Sequence, residues 1–218
     1  MLYKKFEVLS EEKQIRIINS AFNEFAHKQF KEASTDEIAI NAGISKGALF
    51  QYFGTKKQLY LYIYNYGYEV LLNEMYGQIN FANPDLLARL KESTSVKMSL
   101  YCKYPTLFDF ILYSYTKEKD EDIKALANKE LETRSYEMYA KMYANIDYTL
   151  FKEEFDPQHI VAIIIWTLEG YANRESAKLN QESLSIDKYE QWIKEVDGII
   201  ATLRKAFYKE EKHHGERN

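Results

Sequence analysis

Between Ser34 and Leu59 the chain carries three helix starts and two glycine stops, a density of punctuation that leaves room only for short helices joined by tight turns. Ser34 and Glu37 have the spacing of a capping box, in which the serine oxygen takes the backbone N–H three residues on. They predict a short helix through Ile38, Ala39 and Ala42, ended by Gly43, whose missing Cβ permits the positive φ of a tight turn. Ser45 then caps a second short helix that runs to Phe53 and stops at Gly54. Thr55 and Gln58 form a further capping box and open the next helix. Two helices joined by a glycine-containing turn of three or four residues make a helix-turn-helix. Steps of about 100° per residue put Leu49, Tyr52 and Phe53 on one side of the second helix. Gly47, Phe50 and Gln51 fall on the other side, with Lys46 at its edge.

The rest of the chain reads as helix too. Eight Gly and three Pro in 218 residues are few breakers, and long stretches repeat apolar residues at helical spacing. Residues 11–27 place Ile15, Ile18, Phe22 and Phe25 on one stripe, with Ser10 as the expected N-cap. Residues 60–68 alternate Tyr with other residues as a strand would, but they follow a strong helix start, and Leu59, Ile63, Tyr66 and Val70 continue a helical stripe. Asn83-Pro84 is expected to open a helix from Leu86 to about Lys103, with proline at its first position. A short apolar helix follows Tyr104-Pro105. Residues 121–146 form another, with Ile123, Leu126, Leu131, Met138 and Met142 inward. Asp156-Pro157 starts the next, and residues 187–209 carry the last stripe.

Net charge is −4, but it is unevenly spread. Residues 1–57 carry nine Lys/Arg against seven Asp/Glu, while the remainder is at −6. No acid lies between Glu37 and Glu69, and Lys46, Lys56 and Lys57 sit inside that gap, a local basic island of the kind that meets phosphates. The lone cysteine, Cys102, fits a reducing compartment and reads as a small buried hydrophobe. Met1 to Glu12 lacks the apolar run of a signal peptide, and the stretch Ile160 to Leu168 is too short to span a bilayer, so a soluble cytoplasmic protein is expected.

The stretch STDEIAINAGISKGALFQYFGTKKQL, residues 34–59, resembles the DNA-binding signature of TetR/AcrR-type transcriptional regulators. The likeness lies in a capped helix with an Ile-Ala pair, Ala-Gly-hydrophobic-Ser, Lys-Gly, Leu-aromatic-x-Tyr-Phe and a Lys-rich helix start. It implies an all-α protein: an N-terminal three-helix helix-turn-helix domain over 1–56 and a helical effector-binding and dimerisation domain over 57–218. It also implies a ligand-responsive repressor that binds a palindromic operator as a homodimer. Ser45 to Phe53 would be the recognition helix, with Lys46, Gly47 and Gln51 near base edges. Thr35, Tyr52 and Lys56 would hold phosphates, Thr35 and Lys56 from first helical turns. Ser45 caps the recognition helix and belongs to the same contact set. The chain departs from the pattern at Ala48, commonly Thr, and at Phe50, commonly Tyr; without its hydroxyl Phe50 is expected to meet a thymine methyl instead.

Beyond residue 57 the resemblance implies an unidentified small-molecule effector among aromatic helices, with Met98, Cys102, Phe108, Ile111, Tyr115, Trp166 and Glu169 as candidate lining. Glu169 could equally pair with Arg174. The helix at 157–174 is apolar nearly all round and must be covered on every face. A two-fold partner is the simplest cover, so Ile160, Ile164 and Ile165 with Trp192, Val196, Ile200 and Leu203 are candidate dimer contacts. His27, His159, His213 and His214 have no metal-site spacing, and no metal, cofactor or catalytic residue is expected. An all-helical enzyme or carrier is the competing class, but no P-loop, GxGxxG or HExxH supports it. An architectural DNA binder without an effector is disfavoured by the size and aromatic content of the second part.

Overall fold

The computed structural model describes residues 3–178 and 185–210, with the backbone alone at 115, 116, 127, 128, 130–135, 176 and 186. The elements in order are α1 (Lys4–Glu7), α2 (Glu11–His27), α3 (Thr35–Asn41), α4 (Lys46–Phe53), α5 (Lys56–Gln78), α6 (Leu86–Lys103), α7 (Pro105–Thr116), α8 (Glu121–Tyr143), a 3₁₀ turn (Tyr148–Leu150), α9 (Pro157–Lys178) and α10 (Ile186–Phe207). Among the described residues there is no strand, only an isolated bridge between Phe151 and Tyr208. The all-α expectation holds, and residues 56–78 are helix despite their alternating tyrosines.

The caps show why the short helices form. Ser34 Oγ accepts the Glu37 N–H at 3.3 Å, Ser45 Oγ accepts the Ala48 N–H at 3.1 Å, and Thr55 Oγ1 accepts the Gln58 N–H at 3.2 Å. Each satisfies a donor that a helix start would otherwise leave open. Gly43 and Gly54 take φ of +66° and +77°, a region costly for residues with a Cβ. Ser10 precedes α2 without a side-chain bond to it. α6 starts at Leu86 as expected, but Asp85 Oδ1 accepts the Ala88 N–H, so Asp85 is the cap and Pro84 lies outside the helix and not at its first position. Pro157 does open α9, with Asp156 Oδ1 accepting the Gln158 N–H.

The chain divides into two compact units, Met1–Gly77 with Ser99–Met138, and Gln78–Met98 with Tyr139–Asn218. In the first, α2 packs along α7 and α3, and α3 along α4. Phe25, Tyr60 and Phe110 form a buried aromatic knot, with ring centroids 4.9 Å apart for Phe25–Tyr60 and 5.4 Å for Tyr60–Phe110. The Tyr60 hydroxyl bonds Ser114 Oγ at 2.7 Å, which satisfies its polar end inside the core. Burial pushes that phenol well above its ordinary pKa. Sequence reading missed α1, which buries Phe6 completely against Phe53, 4.8 Å between centroids.

The second unit is built on Leu86, Leu87, Phe151, Ile160, Ile164, Ile200, Leu203 and Tyr208. Arg204 pairs with Asp85 at 2.6 Å and lies over the Tyr208 ring, tying the end of α10 to the start of α6. Arg89, fully buried, donates Nη1 to the carbonyls of Phe81 and Lys141. Lys141 lies in the last turn of α8, where unpaired carbonyls favour a cation.

Two expectations need correcting. Cys102 is exposed, because at its place on α6 the inward positions are taken by Leu100 and Tyr101. Ile160, Ile164, Ile200 and Leu203, expected at a dimer contact, are at most 7% exposed and pack into the chain's own core. An apolar run on one helix does not say which side faces inward; here α9 turns Ile163 and Trp166 outward instead.

Gly67 sits where α5 is closely approached by side chains of α7 and α2. A Cβ there would collide with Leu107 Cδ1 and meet Phe22 Cε1 at 3.1 Å. Gly67→Ala should therefore force α5 away from α7 and α2 and destabilise the protein by about 1–3 kcal/mol. Urea unfolding checks this; an unchanged midpoint would show that these helices separate without cost.

Candidate nucleic-acid interface

The inner edge of α4 is fastened first. Leu49 and Phe53 are each 1% exposed, and Phe53 sits in an aromatic cluster with Phe6, Tyr3 and Tyr62. With that edge buried, the opposite edge faces outward: Lys46, Gly47 and Gln51 are exposed and Phe50 is half-buried. The helical steps read from the sequence thus give the observed division of faces. A Cβ on Gly47 would meet nothing nearer than Ser45 Oγ at 3.9 Å, so the protein's own packing does not require glycine there.

The helix before α4 is held by two buried groups. Ser20 Oγ donates to the Ile38 carbonyl at 2.8 Å, docking α3 on α2. The buried Glu24 carboxylate accepts the Ser34 N–H at 2.6 Å and the Lys28 ammonium at 2.9 Å, which fixes the entry to α3. The N-termini of α3 and α4 thereby hold Thr35 and Ser45 in place. Ser45 Oγ is already an acceptor within its cap, but its hydroxyl proton remains available to an anion.

Not every expected contact projects freely. Lys56 donates Nζ to the Lys31 carbonyl at 3.3 Å and lies 4.9 Å over the Phe30 ring, and the resulting desolvation lowers its pKa. The same loop is clamped from behind, since the Phe30 N–H reaches Glu118 Oε2 at 2.8 Å and Lys31 pairs with Asp120 at 3.3 Å. Tyr52 is half-buried, its ring near Phe6 and beneath the Lys13 ammonium at 6.0 Å. Lys46 is paired with Asp36 of α3 at 2.8 Å. Sequence reading missed Lys13, Lys31 and Asp36 as neighbours of this surface. They lie on other elements, and no local spacing links them to α4.

Gly43-Ile-Ser45-Lys-Gly47 also has the GxSxG spacing of a nucleophile elbow. That device needs a strand leading into the turn to expose and strain the serine. Here a helix precedes it, and Ser45 serves as an ordinary N-cap.

The other expected sites are dispersed between the units. Met98, Trp166 and Glu169 fall in the second unit, whereas Cys102, Phe108 and Ile111 fall in the first; the side chain of Tyr115 lies outside the described residues. Trp166 is 71% exposed. Glu169 does not pair with Arg174, which bonds Glu175 at 3.2 Å and lies over Tyr171. Burial, with the Glu169 charge as a smaller contribution, pushes the Tyr143 phenol up to about 12. A groove of about 590 Å³ between α9 and α10 is lined by Thr167, Gly198, Ile199 and Thr202 among others, and by none of the expected effector residues. Among the described residues no cluster of three or more His, Cys, Asp or Glu could hold a metal, and no helix is long and apolar enough to cross a membrane. His213 and His214 lie outside the described residues.

Residues 17–63 match the family model described as bacterial regulatory proteins, tetR family. The uncharacterized HTH-type transcriptional regulator YuxN of Bacillus subtilis (strain 168) is 42% identical over 59 residues, which are 27% of this chain and 20% of that protein. The matched stretch therefore spans only a fifth of that relative. Over nearly the whole chain the fold is similar to solved structures. One is a TetR family transcriptional regulator from Chloroflexus aurantiacus J-10-FL, at TM-score 0.60 and 19% identity, covering 95% of this chain and 98% of that one. Another is the fatty acid degradation regulator FadR from Bacillus halodurans, at TM-score 0.63 and 14% identity, covering 89% and 95%. At such identities the likeness speaks for the fold, while the helix-turn-helix carries the kinship. The kinship is therefore that of one domain: residues 17–63 carry the N-terminal domain of the tetR family of bacterial regulatory proteins.

Proposed function

We propose that the protein is a sequence-specific DNA-binding regulator, a ligand-responsive repressor that binds a palindromic operator as a homodimer. The observation that carries this reading is the exposed face of α4, where Lys46, Gly47 and Gln51 stand over a buried Leu49–Phe53 edge, beside two capped helix N-termini. Lys46 donates to guanine O6 and N7, and Gln51 pairs with adenine N6 and N7. Gly47 lets the backbone come close, and Phe50 meets a thymine methyl. Thr35, Ser45, Tyr52 and Lys56 position the phosphates. Residues 1–56 act as the DNA-binding part and 57–218 as the effector and dimerisation part.

Dimerisation supplies what one short recognition helix lacks, since two copies about one DNA turn apart read a palindrome. The contact face we assign comprises the outward Ile163 and Trp166 with the half-buried Ile165, Trp192 and Val196 and the groove beside Gly198. Exposed large apolar side chains grouped on one helix are the usual sign of a covered surface. An effector that favours a dimer with mis-spaced recognition helices weakens operator binding, and by reciprocity the operator weakens effector binding.

Operator binding measured across a salt series tests the DNA reading. Lys46→Ala should cost roughly 1–3 kcal/mol and relax preference at one base position, while Lys56→Ala should weaken all sequences alike and lower the salt slope by about one. If both variants bind like wild type, the docking model is wrong. Gly47→Ala separates folding from function. It should stabilise α4 by about 0.5–1 kcal/mol in thermal melts yet weaken operator binding, because the new methyl occupies space that only DNA would fill. Wild-type affinity in that variant would mean the space is unused. For the dimer, Trp166→Glu should yield a folded monomer by sedimentation, whereas Ile164→Asp should unfold the protein by burying an unpaired charge. A wild type that is monomeric at micromolar concentration yet binds a palindrome tightly would sink the assignment.

A further inference from the structure

The gap in acids from Glu37 to Glu69 suggests a reading face free of negative charge, yet the fold returns one to it. Asp36, in the first turn of α3, places Oδ2 2.8 Å from Lys46 Nζ, and both side chains are about half-exposed. As a stabilising device the contact is weak, because exposed ion pairs are screened and entropically costly. Asp36 already suits its helix by lying near the positive end of the dipole, which needs no lysine partner. A carboxylate beside phosphates is also unfavourable for raw DNA affinity. What the pair does is neutralise, in the free protein, the lysine that would otherwise seize the nearest phosphate.

We propose that Asp36 is a specificity-determining residue of the DNA site, acting by holding Lys46 against non-specific phosphate contact. This rests on the DNA-binding reading above. An ammonium has three donors in a compact head. One can stay on Asp36 while the others reach guanine O6 and N7, so base reading keeps the pair. A phosphate to the side is reached only by leaving Asp36, and there the pair must break. The carboxylate therefore penalises binding to arbitrary sequence more than binding to the operator, and widens the ratio between them. That ratio, more than affinity alone, decides occupancy among many competing sites.

The test uses the full chain and two duplexes of equal length, one selected by wild type from a random-sequence pool and one its scrambled counterpart. Binding is measured across a salt series for wild type, Asp36→Asn, Lys46→Ala and the double variant. Asp36→Asn should tighten scrambled-duplex binding at low salt and steepen its slope by about 0.9, so that binding falls a further 3.5-fold or so for a fourfold rise in salt. Selected-duplex binding should tighten less, and the effect should vanish in the Lys46→Ala background. Unchanged scrambled binding, equal tightening on both duplexes, or an effect that persists without Lys46 would each overturn the proposal while leaving the DNA reading intact. A wild type that selects no duplex and shows no salt-dependent binding would instead remove the DNA reading, and this proposal with it.

Discussion

What α4 can present to the outside depends on how its inside is fastened. Leu49 and Phe53 are buried to within 1% of complete, and Phe53 meets Phe6 from the first short helix. A helix of eight residues has no stability of its own in water. Its orientation is set by that buried edge, its start by the Ser45 cap and its end by Gly54 at φ +77°. Rotate the helix by one residue and the apolar edge swings out while Lys46 and Gln51 swing in. The exposed face is therefore a consequence of core packing.

Two buried carboxylates extend this fastening to the loops. Glu24 holds the Ser34 N–H, and Glu118 holds the N–H groups of Phe30, Lys119 and Asp120. A buried carboxylate is tolerated only when its oxygens are well supplied with donors, and backbone amides supply them with fixed geometry. The result is a rigid link from the turn after α7 to the loop that backs Lys56. Within this unit, the surface that faces DNA in our reading is continuous with residues far along the chain.

The second unit shows how far pattern reading goes. The long apolar stripe of α10 and the all-round apolarity of α9 were legible, and both helices occur where expected. Which isoleucines are core was not. Ile160 and Ile164 pack on Phe151, Leu86 and Tyr208, partners distant in sequence, while Ile163 and Trp166 are left outward. Cys102 was misjudged for the same reason, since small and apolar describes a residue and not its surroundings. Asp85 caps α6 with its carboxylate on the Ala88 N–H, so Pro84, expected at the first helical position, precedes the helix.

Local chemistry was sufficient for everything governed by contacts a few residues apart: the caps at Ser34, Ser45 and Thr55, the turns at Gly43 and Gly54, the helical class and the two faces of α4. These follow from hydrogen bonds and sterics that close within one turn of chain, so the sequence by itself determined them. Tertiary structure alone decided the rest. It added Phe6 beneath α4, drew Lys56 onto Phe30 and Lys31, and folded Asp36 back onto Lys46. Each of those contacts joins separate elements, and its existence depends on how buried surfaces orient whole helices, which no spacing along the chain encodes.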